Sequence, residues 1–244
     1  MERSLKNVHL ITYGDRNYAR SKWVLAQEAA QFGFSNIHTR GPETLPAEFV
    51  RAHAGFFERN GKGGGFWLWK PFIVNELLSL INEGDFLFYA DAGCAINLNG
   101  KKRFIHWLDI CDQQRCVAFQ MHGLPERHWT KMSVARHMNC DTAHIMDSGQ
   151  LVATVFGLKK CRFTVELVRE WLDICALEWT IDDSIQEIEN DPAFREHRHD
   201  QSVFSLLRKR ENCYTIPDET YPPNGNWNDP FINTIPIWAR RRKK

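Results

Sequence analysis

The sequence predicts an α/β fold: a single domain with a mostly parallel central sheet sandwiched by helices. Apolar segments of strand length alternate with helical segments of ten or more residues, which is typical of three-layer α/β sheets. The 244 residues suffice for one large core, whereas two domains would each have a small one. No Pro/Gly/Ser-rich linker or internal repeat divides the chain, so we expect one domain over residues 1–244.

The first part of the chain contains two predicted strands with a helix between them. VHLITYG (8–14) is an apolar strand that ends at a Gly-Asp turn, and SNIHTRGP (35–42) is a short second strand. Between them, SKWVLAQEAAQFG (21–33) predicts a helix that Ser21 caps and Gly33 ends. The spacing of its apolar residues predicts one buried face, made of Trp23, Ala26 and Ala30.

The alternation continues through the rest of the chain. A polar helix is predicted near 46–59. Pro71 predicts the start of the next, apolar helix, because the missing N–H of proline costs little in the first turn, and Gly84 is expected to end that helix. The polar segment 122–147 interrupts the alternation, and loops of that length in α/β domains usually serve the site. The further elements are the strands FLFYAD (86–91), CVAFQM (116–121) and QLVATVFG (150–157), and the amphipathic helix LKKCRFTVELVREWLDICAL (158–177).

The balance of charge gives no sign of a nucleic-acid partner. Lys and Arg number 31 and Asp and Glu number 30, so no global field favours a polyanion. The exception is the C-terminal run from Arg240 to Lys244. We expect a solvated, frayed tail there in preference to an arm that contacts phosphate or a membrane.

The sequence favours a cytoplasmic protein. No stretch of 18 apolar residues occurs, so no transmembrane segment is expected, and the N-terminus has no signal-peptide core. The seven cysteines are scattered, odd in number and without a C-x-x-C motif. This pattern favours reduced, mostly buried thiols over a disulfide framework or a zinc site.

Two acidic residues follow predicted strands. Asp15 comes just after the first strand, and Asp91 ends the central one before the small residues Ala92 and Gly93. Since ligands of open α/β sheets bind at the carboxyl ends of strands, both acids should edge the same crevice.

A Gly-rich stretch precedes the helix that is predicted to begin near Lys70 and Pro71. NGKGGGFWLWKP (60–71) lacks the G-x-x-x-x-G-K-[ST] pattern, so a phosphate loop of that type is not expected, and Trp67 and Trp69 are expected to pack. Lys70 stands at a helix N-terminus, where its charge opposes the dipole. A cation there favours a nearby anion, and a ligand role and a packing role are equally compatible with it.

Two further polar stretches have a structural and a functional interpretation. In EHRHDQSVF (196–204), Asp200 follows His197 by three positions, which does not fit the H-x-H-x-D pattern of binuclear metallohydrolases. Asp200 can cap the helix that follows, yet His197 and His199 also suit a metal or a diphosphate. The DSG at 147–149 fits a simple turn, and taken alone it indicates little.

Five stretches in this order resemble the nucleotide-sugar glycosyltransferases of the GT-A fold. The similarity is to the bacterial and large-virus polysaccharide type, distantly akin to the glycogenin-like family 8. It covers about residues 7–216, which we take as the core, and leaves 217–244 as a C-terminal wrap and basic tail. The stretches are VHLITYGD, GGGFWLWKP, GDFLFYADAGCAI, DSGQLVATVFGLKK and HRHDQSVFSLL.

The resemblance implies residues that bind the donor. Lys70 would reach the donor sugar or diphosphate, and Asp91 matches the first acid of the Asp-x-Asp motif, with Ala92 and Gly93 beside it. Further donor contacts are implied at the end of the first strand and at the two later motifs: Thr12, Tyr13, Gly14, Ser148, Gly149 and Gln201.

The resemblance also implies catalytic and metal-binding residues. A carboxylate near the sugar would take the acceptor proton or stabilise the cationic carbon, with Asp200 as first candidate and Asp147 as second. Mn²⁺ or Mg²⁺ would be held by Asp91 with His197 or His199. Gly93 stands where the motif has its second acid, so the alternative is a metal-independent enzyme whose cations, Lys70 among them, neutralise the diphosphate.

The resemblance predicts transfer of a sugar from a nucleotide-diphosphate sugar, in the first place a UDP-sugar, to a hydroxyl of a glycan or glycoconjugate. Three alternatives stay open. A nucleotide-sugar hydrolase would share the donor site. A nucleotidyltransferase would share the sheet, but this sequence lacks the Gly-rich, basic signature of such enzymes after the first strand. The third is a binding module without catalysis. Retention and inversion are both compatible with the sequence.

Overall fold

The apolar segments of the sequence form a seven-stranded central sheet in a computed structural model that describes residues 4–184, 187–222 and 225–242. Its order is β2-β1-β3-β7-β5-β6, and β8 also pairs with β5. A separate two-stranded sheet pairs β4 with β9. The strands are β1 (Val8–Tyr13), β2 (Asn36–Arg40), β3 (Phe86–Ala90), β4 (Ala95–Ile96), β5 (Cys116–Pro125), β6 (Gly149–Leu151), β7 (Val155–Lys159), β8 (Thr215–Pro217) and β9 (Ile237–Trp238).

Most strands of the central sheet run in one direction, which confirms the predicted mostly parallel sheet. β1 is parallel to β2 and β3, and β8 is parallel to β5. β7 runs antiparallel to both β3 and β5, and β6 runs antiparallel to β5. The carboxyl ends of β1, β3 and β5 therefore lie at the same edge as the starts of β6 and β7.

Helices cover both faces of the sheet. Among the described residues they are α1 (Ala19–Phe32), α2 (Ala47–Ala52), α3 (Ala54–Arg59), α4 (Gly63–Phe66), α5 (Trp69–Leu80), α6 (Lys101–Gln114), α7 (Glu126–Trp129), α8 (Met132–His137), α9 (Ala143–Met146), α10 (Arg162–Cys175) and α11 (His199–Arg210). None of them combines the length and the apolar character that a membrane span requires.

Two apolar cores lie on opposite faces of the sheet, as the alternation of side chains along β3 requires. Tyr89 contributes to the core formed with α5, α10 and α11, and Phe88 contributes to the core formed with α1 and α6. In the first core Trp171 stacks on Phe204, with ring centroids 3.9 Å apart. These two cores establish the three-layer arrangement of helix, sheet and helix.

Helix α1 buries a different face from the one predicted. Its buried residues include Leu25, Ala29 and Phe32, whereas the Trp23 side chain is 63% exposed beside a shallow surface groove of about 430 Å³. Leu25, Ala29 and Phe32 follow the helical spacing better than the residues chosen from the sequence. The predicted end is confirmed, because Gly33 has φ 107° and its N–H bonds the carbonyls of residues 29 and 30.

Several predicted boundaries are wrong in detail. The helix expected near 46–59 is two short helices, α2 and α3, and the strand expected over 150–157 is β6 followed by β7. The apolar helix begins at Trp69, two residues before Pro71. Within 122–147, β5 continues to Pro125 and three short helices follow. Sequence reasoning missed α6 altogether.

The basic tail is held against the protein, which corrects the expectation of a frayed, solvated tail for residues 240–242. Arg242 forms a bidentate ion pair with Glu28, at 2.6 and 2.8 Å, and its backbone N–H donates to the carbonyl of Gly93 at 2.8 Å. The hydroxyl of Ser21 donates to the carbonyl of Arg242 at 3.1 Å instead of capping α1. Residues 243 and 244 lie outside the described residues.

Candidate active site

A buried lysine between two carboxylates forms the centre of the candidate site. Lys70 Nζ lies 3.3 Å from Asp91 Oδ1 and 3.3 Å from Asp200 Oδ2, and it donates to the carbonyl of Ala153 at 3.4 Å. Helix α5 supplies Lys70, the end of β3 supplies Asp91 and the first turn of α11 supplies Asp200. We call these three residues the charge triad. Sequence reasoning singled out all three, and the structure brings them together.

Asp91 is the member of the charge triad that reaches solvent. Its side chain is 34% exposed, compared with 4% for each of the other two. The hydroxyl of Tyr89 donates to Asp91 Oδ1 at 2.6 Å, so Oδ1 is engaged on the protein side. The carboxylate is thereby held in one orientation at the edge of the sheet.

Opposing effects determine the charges of the triad. Burial alone would lower the pKa of Lys70, but the charges of Asp200 and Asp91 outweigh it and raise that pKa, so the ammonium is retained. Burial raises the pKa of Asp200 to about 6, against the opposing charge of Lys70. At neutral pH Asp200 is therefore predominantly ionised beside the Lys70 ammonium.

The Gly-rich segment before Lys70 is a left-handed turn. All five residues from Gly63 to Trp67 have positive φ, with values between 48° and 87°. Glycine adopts this conformation without steric cost, whereas Phe66 and Trp67 are strained in it by about 1–2 kcal/mol each. Such strain persists only where surrounding contacts hold it, and here it sets the start of α5 and the position of Lys70.

The end of β1 lies against the charge triad's strand but is largely buried. The ring of Tyr13 stacks on Trp69 with centroids 3.7 Å apart, and Thr12 is fully buried. At Gly14 a Cβ atom would lie 3.2 Å from the Cβ of Ala92, so the ends of β1 and β3 touch there. The packing expected for Trp69 is what the structure has, and Thr12, Tyr13 and Gly14 are all buried.

Gln201 belongs to a hydrogen-bonded network that links α11 to the sheet. Its Oε1 accepts from the backbone N–H of Ala153 at 3.0 Å, and its Nε2 donates to Gln150 Oε1 at 2.7 Å. Gln150 in turn donates to the buried carboxylate of Glu126 at 3.1 Å. Gln201 thus holds Ala153 in place, and the carbonyl of Ala153 accepts a hydrogen bond from Lys70.

The DSG turn lies at the same sheet edge but apart from the charge triad. Asp147 pairs with Arg127, and the Ser148 hydroxyl donates to the carbonyl of Ile145 at 2.7 Å. Gly149 begins β6, which lies three strands from β3, or about 14 Å at the usual strand spacing. Asp147 pairs with Arg127 and Asp200 pairs with Lys70, so the two carboxylates engage different cations.

The two histidines of the 196–204 stretch are engaged by the backbone. His197 Nδ1 accepts from the N–H of Lys131 at 3.2 Å, which leaves its Nε2–H to donate to the carbonyl of Thr180 at 2.7 Å. His199 Nδ1 lies 2.7 Å from the carbonyl of Ile181, and its ring stacks on Phe66 with centroids 4.6 Å apart. Burial lowers the pKa of both histidines.

The residues present do not fit the expected metal site. Asp91 Oδ1 is engaged by Tyr89 and Lys70, both His197 nitrogens are hydrogen-bonded, and position 93 has no side chain. Within the described ranges, no group of three or more His, Cys, Asp or Glu side chains is arranged to hold a metal ion. The geometry therefore does not support His197 and His199 as metal ligands, and the histidines act in packing.

Gly93 is buried under the C-terminal tail. A Cβ atom at Gly93 would lie 3.1 Å from the Cα of Arg241 and 3.3 Å from the backbone nitrogen of Arg242. Ala92 is buried as well, at 3% exposure. A larger side chain at position 93 would displace the tail. The tail can therefore dock here only because the second acid of the motif is absent.

Sequence reasoning missed three groups that shape the site. Tyr89 orients Asp91, and the carbonyl of Ala153 accepts from Lys70. Glu126 is fully buried and accepts from Thr130, Gln150, Ser205 and Lys209. Tyr89 could have been found from its position two residues before Asp91 on the same face of β3, but Glu126 lies in the polar segment 122–147 without a distinctive pattern.

Comparison with solved structures identifies the architecture. A glycosyltransferase involved in the glycosylation of the major capsid of PBCV-1 is 11% identical, with 95% of this chain and 92% of that chain covered and a TM-score of 0.50. The chain has the GT-A glycosyltransferase fold. An active-site variant of LgtC is 12% identical, with 96% of this chain and 88% of that chain covered and a TM-score of 0.50.

The GT-A fold also matches part of a larger protein. In the bifunctional glycosyltransferase WbbM, 95% of this chain aligns with 45% of that chain, at 12% identity and a TM-score of 0.51. By sequence, no protein-family model and no curated protein matches the chain. The likeness therefore resides in the fold, which the sequence resemblance correctly predicted.

Proposed function

We propose that the protein transfers a sugar from a nucleoside-diphosphate sugar, a UDP-sugar in the first place, to a hydroxyl of a glycan acceptor. The observation that carries this proposal is the preorganised Asp91 carboxylate at the carboxyl edge of a GT-A sheet. Tyr89 and Lys70 hold its Oδ1, which leaves the partly exposed carboxylate able to accept hydrogen bonds from ribose or sugar hydroxyls. Two of the similar structures are named as glycosyltransferases, which supports the same class of reaction.

The transfer breaks the bond between the anomeric carbon and the diphosphate oxygen and forms a bond from that carbon to the acceptor oxygen. The diphosphate leaves with the bonding electrons, and the acceptor hydroxyl loses its proton. The main electrostatic requirement is positive charge preorganised near the leaving diphosphate. Lys70 contributes little of it, because its ammonium is buried and compensated by two carboxylates.

Asp200 acts through Lys70 in this proposal. Its carboxylate is 3% exposed and lies against the ammonium, so it fixes Lys70, which in turn fixes Asp91. We therefore assign Asp200 as a positioning residue. That Asp200 or the half-exposed Asp147 takes the acceptor proton stays a prediction, as do donor contacts by Thr12, Tyr13, Gly14, Ser148, Gly149 and Gln201.

A nucleotide-release assay tests the proposal. Wild-type protein is incubated with UDP-, GDP- and dTDP-sugars, with and without a mixture of glycan acceptors, and free nucleoside diphosphate is measured. We expect release from one donor that increases when an acceptor is present. Release that no acceptor changes would indicate a hydrolase instead.

The matched variants are Asp91→Asn and, as control, Asp173→Asn. Both remove one carboxylate charge, but Asp173 is exposed on α10. Loss of a charge-assisted hydrogen bond should weaken donor affinity about tenfold or more in Asp91→Asn only. Equal donor affinity in both variants would remove Asp91 from the donor site.

A further inference from the structure

The positive charge of the charge triad is already compensated and cannot neutralise a diphosphate. One ammonium faces two carboxylates, so the exposed end of the triad is anionic at neutral pH. A nucleoside diphosphate is itself an anion, and like charges in a partly desolvated crevice repel each other. If the proposed function holds, a cation outside the triad must offset this repulsion, and the expected metal ligands are not brought together.

The C-terminal tail occupies the place of the second acid. At Gly93 the nearest atoms to a Cβ would be backbone atoms of Arg241 and Arg242, at 3.1–3.3 Å. The chain reaches this position through β9, which pairs with β4 just after the acidic motif. The backbone of two basic residues therefore lies against Gly93, the position two residues after Asp91 from which a metal-binding carboxylate would otherwise project.

Arg242 fixes the tail and leaves Arg241 exposed. The guanidinium of Arg242 pairs with Glu28 and donates to the carbonyl of Cys94 at 3.0 Å. Arg241 has φ 52°, a left-handed conformation that a bulky residue rarely adopts, so the anchoring contacts hold it against a local cost. Its side chain is exposed.

A second guanidinium belongs to Arg198, two residues before Asp200 of the charge triad. Arg198, just before α11, packs with its guanidinium carbon 3.9 Å from the ring centroid of Trp129. Burial lowers the pKa of Arg198, the charge of Glu196 opposes this, and the positive charge of Arg241 adds to it. Across residues 4–184, 187–222 and 225–242, neither Arg198 nor Arg241 has a carboxylate within ion-pair distance.

We propose that Arg241 and Arg198 bind the diphosphate of the donor and supply the positive charge that a metal would supply in a site with a second acid. Two guanidinium groups without acidic partners suit a ligand with two phosphates, since each can bind phosphate oxygens through paired N–H donors. The proposal rests on the proposed function, because it assigns the diphosphate part of the same donor.

Calorimetric titration with UDP and with inorganic pyrophosphate, in EDTA and in Mn²⁺, tests this assignment. The variants are Arg241→Gln and Arg198→Gln, with Arg240→Gln as the matched control. Arg240 is in the same tail and has the same charge, but its guanidinium lies over Trp227, 4.9 Å from the ring centroid. A thermal melt of each variant verifies that it is folded.

We expect wild-type protein to bind UDP and pyrophosphate in EDTA. Arg241→Gln and Arg198→Gln should each weaken both affinities about tenfold or more, whereas Arg240→Gln should change them by no more than about twofold. Unchanged affinity in both Arg241→Gln and Arg198→Gln would overturn the assignment and leave the proposed function intact. UDP binding that occurs only with Mn²⁺ would overturn it as well.

Gly93→Asp provides an independent test of the tail's role. Its side chain would meet the backbone of Arg241, so the tail should detach and UDP affinity in EDTA should fall as in Arg241→Gln. Wild-type affinity of Gly93→Asp in EDTA would contradict a role for the docked tail. If wild-type protein binds no nucleotide under either condition, the proposed function fails, and this assignment fails with it.

Discussion

Replacing Lys70 by Met should destabilise the protein severely and in a pH-dependent way. The variant keeps the volume of the side chain but leaves Asp91 and Asp200 facing each other without the ammonium that lies 3.3 Å from each. Removing one partner of a buried ion pair typically costs about 3–5 kcal/mol. Because Asp91 is one-third exposed, we expect a value near the lower end, about 3 kcal/mol.

The pH dependence follows from Asp200. Its pKa is about 6 with Lys70 present, and without the opposing ammonium it must be higher still. A carboxyl whose folded-state pKa is raised stabilises the fold below its unfolded pKa, and this contribution is lost as pH rises through the folded pKa. Lys70→Met should therefore be closer to wild type at pH 5 than at pH 8.

Urea denaturation at pH 5 and pH 8 measures both effects, with Lys62→Met as control. Lys62 is half exposed and pairs with Asp183 at 3.5 Å, so its loss should cost less than about 1 kcal/mol. A loss of about 3 kcal/mol corresponds to a decrease in melting temperature of about 6–12 °C for a domain of this size. Equal losses for the two variants, or a Lys70→Met loss independent of pH, would refute the role given to the triad.

Three further predictions concern backbone geometry and metal dependence. Gly64→Ala should cost about 1 kcal/mol because φ is 61° there, whereas Gly61→Ala, with open space around its Cβ and no positive φ, should be neutral in urea denaturation. Gly149→Ala should cost more than about 2 kcal/mol because its Cβ would overlap the carbonyl of Met121, while Gly123→Ala should be tolerated. EDTA should leave the wild-type melting temperature unchanged; a decrease would indicate a structural metal.

The regular elements of the fold were predictable because apolar periodicity determines them. The strand at 86–90 is a continuous apolar run, the strand at 8–13 is mostly apolar, and Gly33 ends α1 as expected. The prediction that Gly84 ends the next helix is wrong, because α5 ends at Leu80. The errors occur where tertiary contacts override local pattern. Trp23 has an apolar side chain but faces solvent, since the buried face of α1 is chosen by its contacts with the sheet.

The charge triad was predictable only in part. Asp91 follows a predicted strand, and Lys70 and Asp200 are at the starts of predicted helices. Their meeting at one sheet edge therefore follows from topology. Their mutual pairing does not follow from the sequence, because it depends on the handedness of the turn before Lys70. Three successive glycines indicate a special turn, yet positive φ at Phe66 and Trp67 has no sequence signal.

The contact between the tail and Gly93 could not be predicted from the sequence. The sequence presents Gly93 and the run from Arg240 as unrelated features, separated by almost 150 residues. Only the fold places the backbone of Arg241 against Gly93.

Thermal shift of the wild-type protein against a panel of UDP-, GDP- and dTDP-sugars tests the central claim most directly. A ligand at one hundred times its dissociation constant stabilises the folded state by about 2.7 kcal/mol. For a domain of this size, we predict that one donor raises the melting temperature by about 5–10 °C and that Asp91→Asn loses this increase. No increase with any sugar nucleotide would contradict the proposal that this GT-A crevice binds an activated sugar.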